Sequence, residues 1–221
     1  MPERQELIAA INAGREVGLE LGSGGQRARP GYLTVDIRDM PEVDIQGDVY
    51  EILAELRDDS ISGIYASHFI EHVADLDRFL AEIVRVCRSG AEIEFVAPHF
   101  SNAFFYSDVT HRSFFGLYTF CYLAESRAGF RRQVPDYARI PGLVLSGVQL
   151  RFQSFRPFYL RHGFRKAVQL LVNSCNYMRE LYEEAGTGFV SCYEVAYSLT
   201  VEKNGPTGRA QLPEPGSASG G

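Results

Sequence analysis

A doubly wound α/β sandwich with a mainly parallel, Rossmann-like sheet is the fold class this sequence predicts, and three observations predict it. Short β-rich runs alternate with helical spacing through the first hundred residues, as strands and crossovers of a parallel sheet do. The first run ends in Gly22-Ser23-Gly24-Gly25 and the second in Asp36, so small residues and then an acid stand at successive strand ends. In open α/β sheets ligands sit at those carboxyl ends. The fifth run stops at Pro98, and a dense aromatic block follows it.

The elements follow in order. Residues 3–13 have the spacing of a short amphipathic helix, with Leu7, Ile8 and Ile11 on one face and a stop near Gly14. Residues 17–21 (VGLEL) form an apolar run of the kind a buried strand needs. Residues 32–37 are the second strand, and residues 43–48 a weaker third. Residues 49–56 have helical spacing, and residues 61–67 are a fourth strand. Asp75 is placed to cap a helix whose apolar face is Leu76, Phe79, Leu80, Ile83, Val84 and Val86, closed by Gly90. The fifth strand is expected at 93–97. Residues 99–142 carry Phe100, Phe104, Phe105, Phe114, Phe115 and Phe120 among other aromatics, and are expected to form one or two short helices laid over the sheet as a lid. Residues 143–154 alternate like a long strand. Residues 164–184 are helical, with Val168, Leu171, Val172 and Leu181 as core candidates. Residues 193–201 are a last, antiparallel strand.

The chain has 221 residues, 45% of them apolar, enough for one domain with a real core, expected over residues 1–203. Residues 204–221, rich in Gly, Pro, Ser and Ala, are expected to be a disordered tail. No apolar run is long enough to span a membrane. The charged N-terminus lacks a signal-peptide core, and the four cysteines form no CxxC pair, which together suit the cytoplasm. A net charge of −6 disfavours a nucleic-acid coat. That figure hides an asymmetry: residues 127–166 hold nine basic groups against one acid, while residues 1–126 hold 10 basic and 21 acidic groups. A basic stretch is commonly a solvated face. Here it interleaves aromatics with cations, which also suits an anionic acceptor.

Only about eight residues separate the glycine loop from the second strand, while a parallel crossover usually needs about a dozen. The first crossover helix must therefore be abbreviated or absent. A dinucleotide fold uses that helix's N-terminus to hold a pyrophosphate. Its loss speaks against a nicotinamide oxidoreductase and for a ligand without phosphates there.

Several motifs now stand in sequence order: LELGSG (19–24), PGYLTVDI (30–37), GDVYEIL (47–53), DDSISGIYASHFIEHV (58–73), RFLAEIVRVCRSGAEIEFVAPH (78–99) and SDVTHRSFF (107–115). As a set they resemble the class I S-adenosylmethionine-dependent methyltransferases, with most likeness to small bacterial members of polysaccharide or secondary-metabolite type. The likeness covers roughly residues 15–125. Ser62 stands where an acid is usual, and Val109 where proline is common.

The resemblance implies S-adenosylmethionine as cofactor and methyl transfer to a small-molecule or sugar acceptor, at oxygen. It implies that Glu20 faces the methionine ammonium and that Gly22, Ser23 and Gly24 line the methionine arm. Asp36, with Ile37 beside it, would take the ribose hydroxyls. Asp48 and the Val49 amide would read the adenine edge, and Ser67 and His68 would border the sulfonium. The rival reading is a non-catalytic scaffold or regulatory protein that binds cofactor in the same fold.

Methyl transfer to a hydroxyl needs a proton acceptor, and histidine is the natural one near neutral pH. His99 follows Pro98 at the end of strand five, and His111 stands three residues after Asp108, which is expected to orient it. The plainer reading has Asp108 capping a turn and His111 packing beneath it. His68, Glu71 and His72 have helical metal-ligand spacing, but HxxEH here is expected to be structural, with no metal bound.

Overall fold

A computed structural model describes residues 4–203 of the protein; the expected tail at 204–221 lies outside the described residues. One eight-stranded sheet organises the chain, in the order β3-β2-β1-β4-β5-β8-β7-β6. Its strands are β1 (Val17–Leu21), β2 (Tyr32–Asp36), β3 (Ile45–Gln46), β4 (Ile61–Ser67), β5 (Cys87–Pro98), β6 (Glu125–Ser126), β7 (Leu143–Arg151) and β8 (Glu194–Val201). The helices are α1 (Arg4–Asn12), α2 (Val49–Glu55), α3 (Leu76–Val86), α4 (Thr119–Leu123), α5 (Tyr159–Val172) and α6 (Asn176–Leu181). Strands β1 to β5 pair in parallel, whereas β8 runs antiparallel between β5 and β7. The expected fold class therefore holds.

The register shows how the sheet is covered. Leu33, Leu19, Ile64, Ile93 and Leu199 lie side by side across it, as do Val35, Leu21, Ala66, Phe95 and Tyr197. Paired residues share a face. Both rows are buried, and Phe79 of α3 and Phe120 of α4 pack on Phe95. The next row reads Thr34, Glu20, Tyr65, Glu94 and Ser198, all polar or amphipathic, on the opposite face. No helix occupies the crossovers after β1 and β2. The loop after β1 runs there instead, with the Arg29 guanidinium 4.6 Å from the Tyr65 ring centre and paired with Glu94.

Several boundaries differ from the expectation. Helix α3 ends at Val86, not near Gly90, and β5 starts at Cys87, because Cys87 already pairs with Ile61 beside a register shift. The helical region expected at 164–184 is two helices and a π-helical turn (Tyr182–Gly186), and the first begins at Tyr159. Val172 is buried, but Leu171 and Leu181 are exposed at 60% and 43% and leave the core list. Of the two helices, α5 buries only Val172 and α6 buries no residue. The segment 99–142 is less a lid than a wall of the core: Phe115, Leu117 and Phe120 have no exposed surface. Its short elements are a 3₁₀ turn at Ala103–Ser107, then α4 and β6.

Helices α2 and α3 are tied by one side chain. Arg85 donates to the carbonyls of Leu53 at 2.7 Å and Leu56 at 2.9 Å, which end α2, and to Glu82 at 2.7 Å. Arg85→Ala leaves both carbonyls without that partner and is expected to cost about 1–3 kcal/mol. Urea denaturation reads this as a lower midpoint at unchanged slope. An unchanged midpoint would mean that water replaces the guanidinium at no cost.

Candidate active site

The carboxyl ends of β1, β2 and β4 open into one cavity of about 730 Å³. Gly22, Asp36, Ile37, Asp48, Val49 and His68, six of the expected site residues, line it. Phe69, Tyr50, His72, Thr110 and Arg112 also line it.

Each wall has a local cause. Gly22 ends β1 with φ +65°, and a Cβ there would lie 2.4 Å from Cδ2 of Phe69. Only glycine meets both demands, and its lack of a side chain leaves the cavity floor open. Asp36 ends β2 and is 7% exposed. Its Oδ2 accepts from the Gly24 amide at 2.8 Å and its Oδ1 from the Arg38 amide at 2.9 Å, so the carboxylate is oriented from both sides. Asp48 caps α2 by accepting from the Tyr50 amide at 2.8 Å, which sets its carboxylate at the mouth with Val49 behind it. The Ser23 hydroxyl is buried and lacks a hydrogen-bond partner. Ser23 and Gly24 do not line the cavity. The two carboxylates offer acceptors for a diol and an amine edge, and with the bare Gly22 they fit the S-adenosylmethionine the motifs imply.

Glu20 stands elsewhere than expected. Its carboxylate accepts from the Ala28 amide at 2.9 Å and the Arg29 amide at 2.9 Å, and it does not line the cavity. The cause is the missing crossover helix: loop amides that a helix would satisfy need another acceptor, and Glu20 supplies it. Ser67, the last residue of β4, likewise does not line the cavity.

His68 follows with φ +53°. Its amide donates to Val96 O at 2.9 Å, and its Nε2 lies 3.1 Å from Glu194 Oε2. The hydrogen bond with Glu194 above all, then the Glu71 carboxylate 3.5 Å from its Nδ1, lifts its pKa to about 9 against the opposing cost of burial. His68 is thus an imidazolium on the cavity wall. Burial pushes Glu194 up, but His68 and Arg151 outweigh it and hold the carboxyl below its ordinary range. Glu194 lies 126 residues from His68, so no local spacing signalled the pair.

The two histidines expected to accept the proton fare differently. His99 has no exposed surface; its Nδ1 lies 2.8 Å from Ser101 Oγ and its Nε2 3.0 Å from Glu183 Oε2. It faces the core beneath Phe100, not the cavity, and so is corrected from pocket residue to core polar anchor. His111 is oriented by the Phe105 carbonyl, 2.8 Å from Nδ1. Its Nε2 is 3.7 Å from Asp108 Oδ2, beyond hydrogen-bond reach. Asp108 does not orient it; Asp108 Oδ1 instead accepts from the Thr110 amide at 2.9 Å and hydroxyl at 2.6 Å. His111 stands one ring behind the wall, with His72 between it and the cavity and ring centres 4.9 Å apart.

The basic stretch does not reach the site. None of its cations lines the cavity, and Arg127 and Arg151 are spent on Glu202 and Glu94. The arginines that line the cavity are Arg38 and Arg112. Among the described residues no helix is long and apolar enough to cross a membrane.

Comparison with known proteins agrees with this geometry. Residues 21–95 match a family described as a methyltransferase domain, a segment that runs from the end of β1 into β5. A SAM-dependent methyltransferase from Archaeoglobus fulgidus shares the fold with a TM-score of 0.50 at 15% identity, over 90% of this chain and 94% of that one. The YcgJ protein of Bacillus subtilis does so with a TM-score of 0.50 at 14% identity, over 92% and 100%. At these identities the likeness is one of fold. No curated protein matches the chain in sequence.

Proposed function

We propose that this chain is an S-adenosylmethionine-dependent methyltransferase and that it delivers the methyl group to an oxygen of a small-molecule or sugar acceptor entering over its histidine wall. The observation that supports the reading is one cavity at the carboxyl ends of β1, β2 and β4 that gathers Gly22, Asp36 and Asp48 with His68, His72 and Arg112. On the cofactor side we assign the ribose hydroxyls to Asp36, the adenine edge to Asp48 and the Val49 amide, and the methionine arm to the loop 22–24. Glu20 has no place in this assignment.

The transfer is an in-line displacement. The acceptor oxygen attacks the methyl carbon, the carbon–sulfur bond breaks, and sulfur keeps the electron pair as a neutral thioether. Holding the two partners in line supplies much of the acceleration, up to ~7–11 kcal/mol for well-oriented pairs. The hydroxyl proton must also leave, and we assign its departure to the imidazole wall, His72 with His111 behind it. Arg112 and Arg38 suit an acceptor that carries negative charge.

Calorimetry separates this reading from its rivals. S-adenosylhomocysteine is expected to bind, and NAD is expected not to, because the loop after β1 lacks a helix N-terminus for a pyrophosphate. NAD binding without adenosylhomocysteine binding would overturn the assignment. Cofactor binding without turnover on any hydroxylated acceptor would favour the scaffold reading.

A further inference from the structure

We propose that Glu71, His72 and His111 form a binding site for a divalent transition-metal ion in the wall of the cavity. One ligand atom from each lies within 4.8 Å of the others. Glu71 and His72 close the 3₁₀ turn after β4, and His111 comes from a loop some forty residues on. The Arg112 amide donates to the Glu71 carbonyl at 2.8 Å and pins that loop against the turn.

The Glu71 side chain is the second, independent sign. It has no exposed surface, and neither carboxylate oxygen has a hydrogen-bond partner. A buried carboxylate in that state is costly unless a cation meets it. The nearest cationic group is His68 Nδ1 at 3.5 Å, an ion-pair contact, and the His68 Nε2 proton already serves Glu194.

The imidazoles are set in the tautomer that ligation needs. His111 Nδ1 faces the Phe105 carbonyl, which only accepts, so the proton sits on Nδ1 and Nε2 keeps its lone pair. For His72 the reasoning takes one more link. The Thr110 hydroxyl donates to Asp108 at 2.6 Å, so toward His72 Nδ1, 2.9 Å away, it accepts. His72 therefore also holds its proton on Nδ1 and a lone pair on Nε2. Carbonyl and carboxylate partners of this kind orient metal-bound histidines.

Two imidazole nitrogens and a carboxylate suit zinc, manganese or ferrous ion rather than the oxygen-seeking magnesium or calcium. The sequence expectation of no metal took His68 as the third ligand. The fold turns His68 toward Glu194 and brings His111 in its place. His72 and Thr110 line the cavity, so an ion here would meet an acceptor oxygen and make its proton easier to lose; with the ion bound, the two imidazoles hold the metal and the proton leaves to water instead of to a ring nitrogen. That role, though not the site, rests on the methyltransferase reading above.

The test is a titration of the chelator-treated full chain with Zn²⁺ by calorimetry and with Co²⁺ by visible absorption. One ion per chain is expected, with a dissociation constant in the micromolar range or below. His72→Ala and His111→Ala should each weaken binding roughly tenfold or more. His162→Ala, at a histidine held by Ser154 elsewhere in the fold, should leave it unchanged. Thermal unfolding checks that each variant is folded, and His72→Gln and His111→Gln replace any that is not. No saturable binding, or binding indifferent to both substitutions, overturns the site. Adenosylhomocysteine calorimetry on the same samples keeps the two readings apart. Cofactor binding without metal binding sinks only this inference, and metal binding without cofactor binding sinks only the methyltransferase assignment of the cavity.

Discussion

Asp36→Ala is expected to weaken S-adenosylhomocysteine binding by ~10²-fold or more. The carboxylate ends β2 at the cavity and is held by the Gly24 and Arg38 amides. A ribose diol brings two donors to it. Hydrogen bonds to a charged acceptor contribute ~1.5–3 kcal/mol each, and 1.4 kcal/mol is a tenfold change in affinity. The substitution also frees the Gly24 amide, so the glycine loop loses a tether on the methionine side. Both effects act in the same direction. Asp36→Asn separates them, since it keeps the shape and one acceptor while losing the charge, and should fall between. Calorimetry measures all three proteins, with circular dichroism to show that they are folded. An affinity unchanged in Asp36→Ala would mean that the ribose lies elsewhere.

Phe95→Ala should produce the largest loss of stability, about 3–5 kcal/mol. Phe95 sits mid-strand in β5 with no exposed surface, its ring centre 5.7 Å from Phe120 and 6.2 Å from Phe79. Phe120 in turn lies 4.5 Å from Tyr197 of β8, whose hydroxyl donates to the Gly116 carbonyl at 2.6 Å. The ring therefore joins α3, α4 and two central strands, and none of these can close the gap without dragging the others. At ~2–4 °C per kcal/mol for a domain of this size, the melting temperature should fall by roughly 6–20 °C. Cofactor affinity measured below the transition should hold, because Phe95 does not line the cavity. A loss under 1 kcal/mol would mean that the aromatic cluster repacks freely.

What local patterns carried, the structure repeats. On the expected α3 face Phe79, Leu80, Ile83 and Val86 are buried and Leu76 and Val84 half-buried, and Asp75 caps the helix by accepting from the Arg78 amide at 3.0 Å. The short linker after Gly24 does lack a helix. Part of the cavity lining was legible for the same reason, since Gly22, Asp36 and Asp48 stand at strand and helix ends that local spacing predicts. Glu20 shows the limit: the same missing helix that spacing revealed also left loop amides unpaired, and they claimed its carboxylate.

The sequence by itself determined the alternation of strands and crossovers, the missing first crossover helix and the acids at the strand ends, because each depends on residues a few positions apart. Only the tertiary structure decided which histidine faces what. His99 and His111 both follow strand five in sequence, yet Ser101 and Glu183 draw one ring into the core while Phe105 holds the other behind His72. The polar row across the sheet, the His68–Glu194 pair and the meeting of Glu71 with His111 likewise join residues tens of positions apart. Which partner a buried polar side chain takes depends on which others the fold leaves free, and that choice is made only once the core has closed around them.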